Sequence, residues 1–357
     1  MNNASNYIIG FSVFILTFMM VFLDRYIRLE SPFAVTTNNE ILYLSERGSL
    51  DELIPVLSEY DIHFDSDEMM WVAGIKGWTS FRPGRYELGQ FSSYDQLLSR
   101  LNRGEQDPFM VRIAGGMEFE RFALRTANQF LFTSDELIEA MRDSVLLAEL
   151  GIQAHHLIGR MLPNSYEMFW TTTPEQFVRR MMREFDVAVT NRYLDRASEL
   201  SMTIDEIVTL ASIIEWEVRH VDEKPRVSGL YWNRLNRRKR LQADPTVNYA
   251  IGERRRLFNS DYRFVHPYNT YTFVGLPPGP INNPRMTSIQ AALYPENHDY
   301  IFMVAEPGSG YHTFTTDYQD HLRESRRWSA WISDQHRLRQ QREREERSNS
   351  NEAQEAS

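Results

Sequence analysis

Tyr7 to Leu23 reads YIIGFSVFILTFMMVFL, a run of 17 residues without a charge, closed by Asp24 and Arg25. A bilayer-spanning helix needs about 17–25 such residues. The run has no polar face, which argues against a core helix of a water-soluble domain. Met1 and the polar Asn2 to Asn6 supply no basic n-region, and no small-residue cleavage site follows in DRYIRLE. The pattern therefore predicts a short N-terminal segment, 1–6, and a retained transmembrane anchor, 7–23, rather than a cleaved signal peptide. By the positive-inside rule Arg25 and Arg28 would hold the following chain in the cytoplasm. Long domains translocate largely regardless of such charges, so charge bias leaves the orientation open.

The chain has 357 residues, with 39 Lys+Arg against 49 Asp+Glu, a net charge of −10. That balance argues against a dedicated nucleic-acid binder, whose affinity rests on neutralising phosphates. The absence of cysteine excludes disulfides, zinc–thiolate sites, iron–sulfur clusters and thiol catalysis. No His/Asp/Glu cluster has metal-ligand spacing, and no cofactor is expected. At roughly 150 residues per domain, two domains are expected.

Residues 32–108 mix short alternating runs with turn signals and predict a small α+β module. Glu40-Ile-Leu-Tyr-Leu reads as a strand. Ser49 and Glu52 stand at capping-box spacing and open a helix. Arg82-Pro-Gly-Arg-Tyr turns into a second strand, and Ser93 to Leu101 forms an amphipathic helix ending near Gly104. Residues 109–334 predict a larger α+β domain. Phe109 to Ile113 is a strand candidate, and Glu118 to Phe130, Ser134 to Arg142 and Pro174 to Tyr193 carry helical spacing. Arg160 to Tyr166 reads as a loop, Ile301 to Ala305 as a buried strand, and a helix surrounds Trp328. Residues 335–357 form a charged tail without aromatics. Its first half can extend the preceding helix and its remainder reads as disordered.

Thr203 to Arg219 is the most informative helix. Thr203 and Glu206 again have capping-box spacing. Ile204, Ile207, Val208, Ala211, Ile214 and Val218 share one face, and Leu210 and Ile213 lie away from it, so the helix is apolar over most of its circumference and buried. Glu215 points into the main apolar stripe; Glu217 points about 200° away. Burial raises a carboxyl pKa and makes a neutral acid available near neutral pH. The plainer reading is a solvated or salt-bridged glutamate, with Arg219 and Lys224 nearby. A glycosidase with paired carboxylates about 5–9 Å apart would need a second acid from elsewhere, and Asp244 is a candidate.

Leu210-Ala-Ser-Ile-Ile-Glu-Trp-Glu resembles the signature helix of the YceG-like (MltG-type) endolytic murein transglycosylases. The resemblance continues in order through Tyr231-Trp-Asn-Arg-Leu, Leu241-Gln-Ala-Asp-Pro-Thr-Val-Asn-Tyr, Tyr268-Asn-Thr-Tyr, Gly275-Leu-Pro-Pro-Gly-Pro-Ile, Asn283-Pro284 and His312-Thr-Phe with His321 downstream. Arg82-Pro-Gly-Arg-Tyr and Leu162-Pro-Asn-Ser-Tyr resemble earlier family blocks. Asn164 stands where the family often has Asp, and Leu322 where Asn is usual. The resemblance implies an N-terminal anchor, a LysM-like subdomain and a catalytic domain on the periplasmic or extracytoplasmic side of the inner (cell) membrane. It implies non-hydrolytic cleavage of peptidoglycan strands between MurNAc and GlcNAc, leaving 1,6-anhydroMurNAc ends and terminating nascent strands. The catalytic acid aligns with Glu217 and leaves Glu215 as an accessory residue. Asn233, Gln242, Asp244, Tyr268, Asn269 and His312 are the polar candidates for holding sugars. Peptidoglycan is the implied partner, and cell-wall synthesis enzymes are a family-level expectation. Two other readings stay open: a hydrolytic muramidase using Asp244, and a wall-binding scaffold whose glutamates are structural.

Overall fold

The computed structural model describes residues 2–30, 34–35, 40–60 and 62–355. Two compact units emerge. The first comprises Met1–Val111, Leu124–Glu136 and Ser165–Pro174; the second comprises Arg112–Ala123, Leu137–Asn164 and Glu175–Ser357.

The first unit begins with α1 (Asn2–Leu29), whose stretch Tyr7–Leu29 is long and apolar enough to cross a membrane and is not buried by protein. There follow β1 (Ala34–Val35), β2 (Ile41–Leu44), β3 (Gly48–Ser49), α2 (Leu50–Leu57), β4 (Ile62–His63), α3 (Ser66–Lys76), β5 (Ser80–Phe81), β6 (Gly84–Glu87), α4 (Tyr94–Arg103) and β7 (Phe109–Ile113). β2 and β6 pair antiparallel, with Leu42 opposite Tyr86. Both side chains are fully buried, in a core shared with Leu53, Met69, Leu97 and Leu101. The expected capping box forms at the start of α2, where the Ser49 amide donates to Glu52 Oε2 at 2.9 Å. α4 ends as expected at Gly104, whose φ of 74° suits a residue without Cβ. α3 is a helix that the sequence reading passed over. Asp65 caps it by accepting from the Asp67 and Glu68 amides, and Gly77 closes it with a φ of 71°. Arg28 near the end of α1 is held by Glu68 of α3 at 2.7 Å and lies over the Trp71 ring.

The middle of the chain holds α5 (Phe119–Ala127), α6 (Ser134–Arg142), α7 (Ser144–Glu149), α8 (Ala154–Arg160) and β8 (Asn164–Met168). Residues 164–166, expected as loop, open β8, which pairs with β7. Two later segments, 124–136 and 165–174, group with the first unit.

The second unit is built on α11 (Ile204–Glu217). Around it stand α9 (Pro174–Phe185), α10 (Asn191–Glu199), α12 (Lys224–Asn236), α13 (Asp244–Ile251) and α14 (Met286–Leu293). Ile207, Leu210, Ala211, Ile213 and Ile214 of α11 are all fully buried, as an apolar circumference requires. β9 (Phe302–Ala305) and β10 (His312–Thr315) form an antiparallel hairpin with Met303 opposite Phe314. β9 is half-buried rather than fully covered. α15 (Tyr318–Glu355) follows it. The first half of the charged tail extends this helix, as its composition allows, and the helix runs on to Glu355 through the part expected to lack order. Arg and Glu are good helix formers, and Arg339 pairs with Glu343 one turn on at 2.9 Å.

Candidate active site

The capping box that starts α11 is present. The Thr203 hydroxyl accepts from the Glu206 amide at 3.2 Å, and Glu206 Oε2 accepts from the Thr203 amide at 2.8 Å. Fourteen residues later the helix ends on Glu217, because Val218 turns to extended backbone at φ −114°, ψ 126°. The two acids of the last turn have opposite fates.

Glu215 is saturated. Its Oε2 accepts from Lys224 Nζ at 3.0 Å and Ser288 Oγ at 2.6 Å, and its Oε1 accepts from the Arg285 guanidinium. The carboxylate is 1% exposed and ties α11 to α12 and α14. It therefore serves as a brace, with nothing left to offer a sugar. Lys224 was a foreseen partner; Arg285 lies 70 positions away and gave no sequence signal.

Glu217 is unpaired. Its Oε2 is buried without a hydrogen-bond partner among the described residues, and so is the nearby Tyr231 hydroxyl. Burial pushes the Glu217 carboxyl up to about 8, the charge of Asp244 adds to the rise, and Tyr231 opposes it. The C-terminal end of a helix, where the backbone dipole is negative, also disfavours a carboxylate. Both effects favour the protonated form of the Glu217 carboxyl.

Asp244 opens α13, followed by Pro245 at the helix start. Its Oδ1 accepts from the Tyr271 hydroxyl at 2.6 Å and its Oδ2 from the Tyr262 hydroxyl at 3.4 Å. Water reaches this carboxylate, but protein closes around it on most sides. Desolvation accordingly raises its pKa, and the two tyrosine hydrogen bonds oppose that rise.

Glu217 and Asp244 together line two adjoining cavities. The smaller, about 180 Å³, is completed by Trp216, Pro245, Asn248 and Arg254. Trp216 is fixed there by its indole N–H, which donates to the Gly116 carbonyl at 2.9 Å, and by the Arg254 guanidinium 4.2 Å from its ring centre. The larger, about 620 Å³, is bounded by α12, the β9–β10 hairpin and the first turns of α15. The acid therefore stands where two arms of a groove meet.

Of the other expected residues, two reach this groove. Gln242 lines the larger cavity, held in a left-handed conformation at φ 54° with its side-chain oxygen accepting from Arg234. His312 lines it too, tethered by its Nδ1 to Glu223 Oε2 at 2.9 Å. The remaining three line neither cavity. Asn233 donates to the His298 carbonyl at 2.6 Å and the Tyr300 carbonyl at 3.0 Å, fastening α12 to that loop. Tyr268 packs against Tyr249, ring centres 4.7 Å apart. Asn269 is fully buried and donates to the Phe264 carbonyl at 2.7 Å, while its oxygen receives the Tyr271 amide at 3.0 Å. Asn269 thereby shapes the loop that presents Tyr262 and Tyr271. Tyr231, Arg234 and Tyr271 line the groove instead. All three stand inside the blocks Tyr231-Trp-Asn-Arg and Tyr268-Asn-Thr-Tyr, one to three positions from the residues first singled out.

A carboxyl group pushed toward its protonated form, lining two adjoining cavities, is an arrangement suited to general acid chemistry. The chain belongs to the YceG-like family, whose profile matches residues 42–327. It is 25% identical over 291 residues to an endolytic murein transglycosylase of Bacillus subtilis, covering 77% of this chain and 80% of that protein. It is 26% identical over 284 residues to an endolytic murein transglycosylase of Streptococcus pneumoniae, covering 70% of this chain and 51% of that protein. The chain thus spans about half the length of the pneumococcal relative. The crystal structure of a yceG-like protein from Listeria monocytogenes superposes with a TM-score of 0.55 at 26% identity, over 80% of this chain and 99% of that one.

Proposed function

We infer that this chain is an endolytic murein transglycosylase, a lyase that cuts peptidoglycan glycan strands internally. The observation that carries the mechanism is the Glu217 carboxyl, whose Oε2 is buried without a hydrogen-bond partner among the described residues and whose pKa is pushed up to about 8 beside Asp244. Glu217 donates its proton to the glycosidic oxygen as the bond from MurNAc C1 breaks. The carboxylate so formed takes the proton of the MurNAc 6-hydroxyl as that oxygen bonds to C1. The ring closes as 1,6-anhydroMurNAc, no water is consumed, and Glu217 ends protonated as it began. General acid–base transfer of this kind contributes about 10²–10⁴-fold; the rest comes from positioning and charge stabilisation.

Asp244 shares both cavities with Glu217, which gives the hydrolytic reading its one support. In the cyclising reaction Asp244 activates no water. Its charge adds to the burial that keeps Glu217 protonated, and its tyrosine bonds hold it in place.

The apolar α1 is proposed as the membrane anchor, with the rest of the chain on the extracytoplasmic side where murein lies. The β2–α2–α3–β6 order of the first unit, with its outer strands paired antiparallel, supports a LysM-like module that holds glycan. Enzymes that polymerise nascent strands are the proposed neighbours, since their product is the substrate.

Mass spectrometry of glycan strands incubated with the full chain in detergent tests this function. Internal cuts bearing 1,6-anhydroMurNAc are expected, and Glu217→Gln, folded by circular dichroism, is expected to abolish them. Reducing MurNAc ends, lost in Asp244→Asn, would replace the lyase with a muramidase. An active Glu217→Gln would remove Glu217 from the chemistry.

A further inference from the structure

The larger cavity has one wall that the chemistry above does not use. α15 turns Tyr318, His321, Ser325 and Trp328 toward it. Their spacing of three, four and three residues puts them on one stripe of the helix. His321 lies nearly flat on Phe302 of β9, ring centres 4.9 Å apart at 21°, and its Nδ1 is buried without a partner among the described residues. Trp328 is half-buried and stacks on Trp331 at 5.1 Å and 25°. Both rings are therefore held in place before any ligand arrives, which lowers the ordering cost of a contact. They stand seven positions apart on the helix, a rise of about 10 Å and the length of roughly two linked pyranose rings. Trp328 falls one residue past the segment matched by the family profile, which ends at 327.

We propose that this stripe is a distal glycan subsite: one arm of the strand leaves Glu217 along α15, His321 hydrogen-bonds a sugar substituent, and Trp328 stacks on a sugar ring further out. This rests on the murein reading above. A pyranose ring carries an apolar C–H face, and an indole offers the flat, electron-rich face that complements it. Contacts far from the cleaved bond are converted into rate by holding that bond against the acid. A longer strand is therefore a better substrate because it reaches Trp328.

The test compares Trp328→Tyr with Trp328→Leu in the full chain. Both fill the space beside Trp331, and only tyrosine stacks on a sugar. kcat/KM is measured on peptide-free strands of graded length, from a tetrasaccharide upward. Wild type and Trp328→Tyr should gain with length. Trp328→Leu should lose that gain by about tenfold, the cost of removing one aromatic anchor. Calorimetric titration of the same strands into the Glu217→Gln background, where they stay uncut, should show the same tenfold loss of affinity for Trp328→Leu. Equal length dependence in the leucine and tyrosine variants would overturn the subsite. A loss seen only on strands that carry stem peptides would also overturn it, in favour of a peptide contact. If wild type cuts no strand, the murein reading fails, and the calorimetry still decides whether long glycans engage Trp328.

Discussion

A carboxyl group in an apolar setting has two ways to avoid the cost of an unpaired buried charge: gain partners or keep its proton. Glu215 and Glu217, two positions apart on α11, take one route each. Glu215 has a lysine, an arginine and a serine; Glu217 has no charged partner among the described residues, and burial pushes its carboxyl toward the protonated form. Removing one member of a buried ion pair strands the other. Glu215→Ala should therefore cost about 3–5 kcal/mol, read as a lower midpoint in urea denaturation. A change below about 1 kcal/mol, within the range of an exposed pair, would mean that the brace does not bear on stability. That two acids of the last turn diverge is legible in the sequence, since 100° per residue sends them to opposite faces. Which of them meets an arginine is not legible, because Arg285 arrives from the residue just before α14. Asn233, Tyr268 and Asn269 illustrate the same limit. A polar residue inside a recognisable block serves a sugar or a carbonyl according to which neighbour it faces, and those carbonyls come from distant loops.

The elements were readable where their ends carry chemical signals. Ser49, Ser93 and Thr203 start helices at the expected positions, and Gly104 ends one. α3 was passed over although Asp65 and Gly77 bracket it, because its apolar residues make no clean stripe. β8 was passed over because Pro163 and Asn164 read as turn residues, whereas its pairing with β7 depends on a partner some 50 positions earlier. α12 has a feature that only tertiary structure reveals. A Cβ at Gly229 would collide with the backbone carbonyl of Glu296, which cannot swing aside as a side-chain end can. Gly229→Ala should therefore destabilise the second unit by about 1–3 kcal/mol through overpacking, despite the better helix propensity of alanine. A thermal melt checks this, and an unchanged or raised Tm would show that the 296 segment yields.

At the scale of the whole molecule, both cavities of the second unit are lined by one carboxyl group, that of Glu217. Fold and family were legible because several weak blocks stand in one order along the chain. The groove's far wall was not, because α15 joins it only after the β9–β10 hairpin folds back. The central claim is that Glu217 works from its protonated form. A raised carboxyl pKa means that the competent acid is present below about 8 and lost above it. The decisive measurement is kcat/KM for 1,6-anhydroMurNAc formation by the full chain between pH 5 and 10, beside Asp244→Asn. The account predicts a plateau that falls through a single step near pH 8. It also predicts that Asp244→Asn moves the step to lower pH, since the charge that helps hold the proton is gone. A rate that rises through pH 8, or a step that Asp244→Asn leaves in place, would contradict it.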